Sequence, residues 1–210
     1  MSNSTARTPS SRRQRSDGAR SREAILREAT RLVTVDGIEG LSIGRLADAV
    51  GMSKSGLFAH FRSKEELQLA TIGAADAIFR AEVIDAARTA PPGLTRVRAL
   101  CEAFLAHLER GVFPGGCFFA SVAAEIDTHP GPVRDAAIAS AASWFAELET
   151  AVKDAQHEGT IDSRESPDQI AFELDAYLLL ANAQFVATAD PSTLDRARRA
   201  IDRTLITAAA

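Results

Sequence analysis

The stretch Ser42-Ile43-Gly44-Arg45-Leu46-Ala47-Asp48-Ala49-Val50-Gly51-Met52-Ser53-Lys54-Ser55-Gly56-Leu57-Phe58-Ala59-His60-Phe61 decides the fold. Its spacing is that of two short helices joined by a tight turn. Ala47 is small where the helices would cross, and Gly51 falls in the turn four residues on. Leu57 is apolar six residues beyond. A bulky residue at 47 would hold the helices apart, a side chain at 51 would resist the turn, and a polar group at 57 would be buried unpaired. Ser42 and Ser53 each stand where a side-chain oxygen accepts from the first free backbone N–H groups of a helix. Ser53 thereby places the amides of Lys54, Ser55 and Gly56 at a helix start that attracts a phosphate. On the second of these helices Leu57, Phe58 and Phe61 fall on one side.

Outward from this core the same signals continue. Ser21 caps a preceding helix with Ile25, Leu26, Ala29, Leu32 and Val33 at helical spacing, closed near Asp36-Gly37. Ser63-Lys64-Glu65-Glu66 reads as a capping box opening the next helix. Ala90-Pro91-Pro92-Gly93 and Pro114-Gly115-Gly116 are breaks around a helix of about 94–109. His129-Pro130-Gly131-Pro132 introduces a helix over 133–158 ended by Gly159, and Ser166-Pro167-Asp168-Gln169 is a second capping box opening 168–187. Asp190-Pro191 starts the last helix. No stretch alternates as a half-buried strand does, so the fold class is all-α.

Ser42-Ile43, Leu46-Ala47, Val50 to Phe61 and Lys64-Glu65-Glu66-Leu67 closely resemble the amino-terminal domain of the TetR/AcrR family of bacterial transcriptional regulators. The resemblance covers about residues 21–67. It implies a dimeric, usually repressing, DNA-binding protein whose larger domain binds a small molecule and so leaves its operator. Under it, Ser42 and Lys64 are expected at phosphates, fixing position without reading sequence. Lys54, Ser55, Gly56 and Ala59 are expected toward the major groove, beside Ser53, with Ala59 limited to methyl contact with thymine. His60 matches the family's histidine near the DNA backbone. Phe58 replaces a common tyrosine, keeping the packing and losing a phosphate hydrogen bond. The domains expected are a basic arm over 1–20 without regular structure, a three-helix helix-turn-helix unit over 21–67, and a helical effector-binding and dimerisation unit over 68–210.

Charge and composition agree with that division. The chain has 210 residues, 46% hydrophobic and 25% charged, the profile of a globular protein. Its net charge of −4 is uneven: residues 1–66 carry +4 and residues 67–210 carry −8. Contact with nucleic acid is therefore confined to the first third. Arg7, Arg12, Arg13, Arg15, Arg20 and Arg22 form the basic arm, which is either a solvated tail or a contributor of salt-dependent affinity. No apolar run approaches the roughly 18 residues of a membrane span, the longest leucine cluster, Tyr177 to Leu180, lying in a segment that also carries Asp175 and Asn182, and no membrane partner is expected. Without a secretory signal or CxxC spacing between Cys101 and Cys117, the expected location is cytoplasmic. Gly40-Leu41-Ser42-Ile43-Gly44 spells a nucleophile elbow, but no strand precedes it, and an enzyme is not expected. The four histidines have no HxxxH spacing, so neither a metal nor a cofactor is expected.

In the second half, Phe104, His107, Phe113, Cys117, Phe118, Phe119 and Glu125 flank the Pro-Gly-Gly break and are candidates for an effector pocket; the alternative is ordinary core. Ala137, Ala141, Trp144 and Leu148 on one long helix, with Tyr177, Leu178 and Phe185 on the next, belong to apolar faces too wide for one-sided cover. A second subunit forming a two-fold four-helix bundle would supply the rest. The other reading makes both helices internal to one subunit. Asn182 is assigned to that dimer interface in preference to the pocket. The competing functional reading of the whole chain is a helical ligand-binding or interaction module without operator binding.

Overall fold

A computed structural model describes residues 10–126 and 130–210, helical throughout apart from turns and one isolated bridge between Ile161 and Ala209. The expected caps form at α2 (Ile43–Ala49), where Ser42 Oγ accepts from Arg45 N at 3.3 Å, and at α3 (Lys54–Phe58), where Ser53 Oγ accepts from Gly56 N at 3.1 Å. Between them Gly51 takes φ +66°, a conformation that glycine adopts without steric cost. At α4 (Lys64–Phe79), Ser63 Oγ accepts from Glu66 N at 3.0 Å. The Glu66 carboxylate reaches back one residue further than a capping box requires, to Arg62 N at 2.9 Å.

The first helix departs from expectation. α1 (Ser10–Asp36) begins eleven residues before Ser21, which is therefore interior and not a cap, and residues 10–20 of the expected arm are helical. Residues 1–9 of that arm, and His129, lie outside the described residues. Arg22, counted with the arm, is a packing residue: its guanidinium lies 4.3 Å from the Phe61 ring centre and donates to the His60 carbonyl at 2.5 Å. It clamps the end of the α3 segment onto α1.

Ile25, Ala29 and Val33 of α1 bury against Leu46, Ala47, Leu57, Phe61 and Leu67, each large side chain contributing about 1.5–3 kcal/mol. Phe113, Phe118, Val122 and Ala137 from the second half join that same core. The expected boundary after residue 67 falls inside α4, which continues through a π-helical turn, Arg80–Asp85, into the larger core. A π turn in a long helix commonly marks a functional site.

The remaining elements are α5 (Leu94–Glu109), α6 (Phe118–Ile126), α7 (Pro132–His157), α8 (Pro167–Thr188) and α9 (Ser192–Thr207). α6 is not among the helices that the caps and breaks of the sequence predict. The second capping box does not close, because Ser166 Oγ bonds to the Asp168 carboxylate and Gln169 turns to Glu173 Oε1 at 2.9 Å. By length and composition α8 could cross a bilayer, contrary to the expectation that no stretch approaches that length. It packs against α5, α7 and α9, burying Ile170, Ala171, Leu174, Leu178 and Ala181.

Candidate nucleic-acid interface and effector cavity

Leu57 and Phe61 anchor the α3 segment inward, which turns Lys54, Ser55, Phe58 and Ala59 to solvent. Phe58 is 53% exposed and does not pack as expected, because α3 is only five residues long and its inward face is filled by Leu57. Lys54 lies across the first turn of α2: a Cβ on Gly44 would be 3.2 Å from Lys54 Cε and 3.4 Å from Nζ. Lys54 has no carboxylate partner among the described residues.

The other expected contacts are more encumbered. Ser42 and Ser53 spend one lone pair on their own helices. Lys64 Nζ is held by Glu39, at 2.9 Å to its carboxylate and 2.8 Å to its carbonyl, and so is part of a structural clasp before it is a phosphate contact. His60 is half-buried beside Phe61, with its carbonyl engaged by Arg22. Arg45 at the edge of α2 is tied to Asp36 at 2.7 Å.

A second feature lies between α4, α5, α6, α7 and α8: a cavity of about 340 Å³ with Phe79, Phe104, Phe119 and Trp144 in its walls. The rings pack edge to face, Phe79 to Trp144 at 5.2 Å and to Phe119 at 6.2 Å, while Phe104 stacks on Trp144 at 5.8 Å. Polar groups come from α8. Asp175 Oδ1 accepts the Trp144 indole N–H at 2.8 Å, and Asn182 Oδ1 accepts the Cys117 amide N–H at 2.8 Å. Burial raises the Asp175 carboxyl above its usual range, opposed by the Trp144 hydrogen bond, and pushes the Cys117 thiol up to about 11. A slightly larger cleft of about 380 Å³ between α8 and α9 has a rim of Glu165, Gln169, Glu173 and Arg203 and lacks this aromatic enclosure.

Phe104, Cys117 and Phe119 therefore line the cavity as expected, and four candidates do not. Phe113 and Phe118 face the core of the amino-terminal helices. His107 is buried behind Phe79, edge-on to it and to Phe113. Glu125 lies on the opposite side of α6, where its Oε2 accepts from Glu39 N at 3.2 Å and its carboxylate fills the space beside Gly37.

The expected interface also changes. Trp144, Ala141 and Asn182 line the cavity, Leu148 and Leu178 are buried in the larger core, and Ala137 is buried in the amino-terminal core. Tyr177 meets α9, its hydroxyl 3.3 Å from Thr204 Oγ1, and Phe185 is half-buried against the core. What α8 leaves outside is a different set, Phe172, Leu179 and Val186 at seven-residue spacing with Leu180 beside them, and Ile138 is exposed on α7. Asp175 and Asn182 share the same seven-residue spacing, a polar pair on an apolar helix; that spacing was the available signal for both.

His107 makes a pH prediction. Neither ring nitrogen has a hydrogen-bond partner among the described residues, and burial lowers its pKa to about 4. The folded chain binds this proton less readily than the unfolded chain, so the group's contribution is complete above about pH 6.5 and is lost as pH falls toward 4. His107→Leu should flatten the acid side of the stability profile. Denaturant unfolding at pH 7 and 4.5 should show the wild type losing about 2–3 kcal/mol more than the variant; parallel profiles would exclude His107 as the cause.

Residues 25–71 match the family model described as bacterial regulatory proteins, tetR family, and residues 93–201 match the tetracyclin repressor-like, C-terminal domain. The transcriptional regulator TcmR of Streptomyces glaucescens is 36% identical over 91 residues, 43% of this chain and 38% of TcmR. The transcriptional repressor AcnR of Corynebacterium diphtheriae is 39% identical over 89 residues, 42% of each chain. The matched region thus spans about two-fifths of these curated relatives. A TetR transcriptional regulator from Chloroflexus aurantiacus superposes with a TM-score of 0.85 at 24% identity, covering 92% of this chain and 98% of that one.

Proposed function

The chain belongs to the TetR family of bacterial transcriptional regulators, and from that premise we propose that it is a homodimeric repressor that leaves its operator DNA when a small molecule occupies the α4–α8 cavity. The observation that carries this reading is the outward tip of α3, where Lys54, without a carboxylate partner among the described residues, and Ser55 and Ala59 face solvent over a fully buried Leu57 and Phe61; the Ser55 hydroxyl is 3.1 Å from Ser53 Oγ. Such a tip can enter a major groove, and two tips about 34 Å apart, or a multiple of it, can enter successive grooves. The exposed stripe of Phe172, Leu179 and Val186, with Ile138, supports a two-fold contact through α7 and α8, since an apolar helix face of this kind calls for cover. The cytoplasm, where operator DNA is, is the corresponding location.

Coupling follows from two helices that each touch both places. α6 brings Phe119 to the cavity and Glu125 to the Glu39 amide; α4 brings Phe79 to the cavity and Lys64 to Glu39. Gln68 of α4 also donates to the Ile38 carbonyl at 2.9 Å. A ligand that displaces either helix therefore moves the 37–41 loop from which α2 and α3 hang, changing the separation of the recognition helices. Gel shift against the region upstream of the chain's own gene, repeated over a range of salt, tests the reading. Specific binding should weaken steeply with salt. Absence of specific binding at low salt would favour the non-operator module.

A further inference from the structure

We propose that the cavity selects a protonated lipophilic amine, held by the Asp175 carboxylate and the aromatic walls around it. The inference rests on the reading of this cavity as the effector site and specifies the charge of what enters.

The sign of the ligand follows from the wall. Asp175 is the one charged side chain lining the cavity among the described residues, and none of its lining is Lys, Arg or His. One carboxylate oxygen is fixed by the Trp144 indole; among the described residues the other has no hydrogen-bond partner and Asp175 makes no ion pair. A carboxylate so placed is uncompensated among the described residues in a partly enclosed, aromatic-walled site, and burial already opposes its charge. An ammonium entering the cavity restores that balance with a charge-assisted hydrogen bond. The faces of Phe79, Phe104, Phe119 and Trp144 carry negative electrostatic potential and favour the same sign. An anion would meet the negative Asp175 and these ring faces with no cationic side chain in the lining, and only the neutral Asn182 amide could donate to it.

Size and second polar contact narrow the class. At about 340 Å³ the space suits a small organic molecule. Asn182, two turns along α8 from Asp175, has no partner for its side-chain N–H groups among the described residues, while its oxygen holds the Cys117 amide. It can donate to an ether or carbonyl oxygen on the neutral part of the amine. Ala141 and Ala183, small and exposed, leave an apolar entrance.

The test uses one hydrocarbon frame in three charge states: 4-phenylbutylammonium, 4-phenylbutan-1-ol and 4-phenylbutanoate. Trp144 is the only tryptophan in the chain, so its fluorescence reports occupancy of the full-length protein directly. At pH 7 the ammonium should bind at least about tenfold more tightly than the alcohol, with the butanoate weakest. Asp175→Asn, which keeps an oxygen for the indole, should bring ammonium and alcohol within about twofold. Should that variant not fold, Ala141→Lys places a cation at the exposed entrance and should likewise abolish the preference. Equal or tighter binding of the alcohol or the butanoate, an unchanged order in the variant that folds, or no response to any of the three at millimolar concentration would overturn the proposal. Gel shift without ligand separates this from the regulator reading. A chain that binds the ammonium and no DNA keeps the amine site and loses the regulator, whereas an operator-binding chain indifferent to ligand charge does the reverse.

Discussion

Lys54→Glu should weaken operator binding at least about a hundredfold at moderate salt, because it removes a charge-assisted contact worth about 1.5–3 kcal/mol and also sets a carboxylate against phosphate. Lys54 is exposed at the start of α3 with no carboxylate to neutralise it among the described residues, so its charge is available to the duplex. Lys64 is the contrasting case. The sequence placed both lysines at phosphates, but Lys64 must leave the Glu39 carboxylate and carbonyl to get there. Lys54→Ala should therefore lower the slope of log affinity against log salt by about one per protomer. Lys64→Ala should leave that slope nearly unchanged and lower stability by no more than about 1 kcal/mol, as for other exposed pairs. Equal losses of slope in the two variants would show that the Glu39 clasp opens on DNA and that the distinction between them is wrong.

Gly115→Ala should cost about 3 kcal/mol of unfolding free energy and lower the melting midpoint by about 6–12 °C. A Cβ at residue 115 would lie 1.7 Å from the Thr34 carbonyl oxygen and 2.5 Å from its carbon, a collision with backbone that no rotamer relieves. The same glycine donates its N–H to Thr34 Oγ1 at 3.2 Å and accepts from Ser121 Oγ at 3.2 Å, so it joins the last turns of α1 to the start of α6. Gly73→Ala is the matched control. On the exposed side of α4 its Cβ would meet nothing within 4 Å, and the substitution should gain about 0.5–1 kcal/mol through helix propensity. Chemical denaturation of the two variants beside the wild type decides it, and a Gly115→Ala chain as stable as the wild type would refute the close approach.

Caps, turns and the outward tip of α3 were legible in the residues themselves. Ser42, Ser53 and Ser63 each bond a backbone amide three residues away, and Gly51 turns within its own segment, so type and spacing suffice. The resemblance carried the family on the same short stretch. Tertiary structure alone decided which sides of α7 and α8 face inward, turning Trp144, Asn182 and Leu148 from expected interface into cavity wall and core. It also decided that Glu125 reaches Glu39 across 86 positions, that Lys64 reaches it across 25, and that Arg22 caps Phe61. The physical reason is the range of the interaction. A cap is selected by its immediate neighbours, whereas a helix apolar on two sides satisfies several packings equally well until other helices, distant in sequence, cover one side and leave the other to solvent.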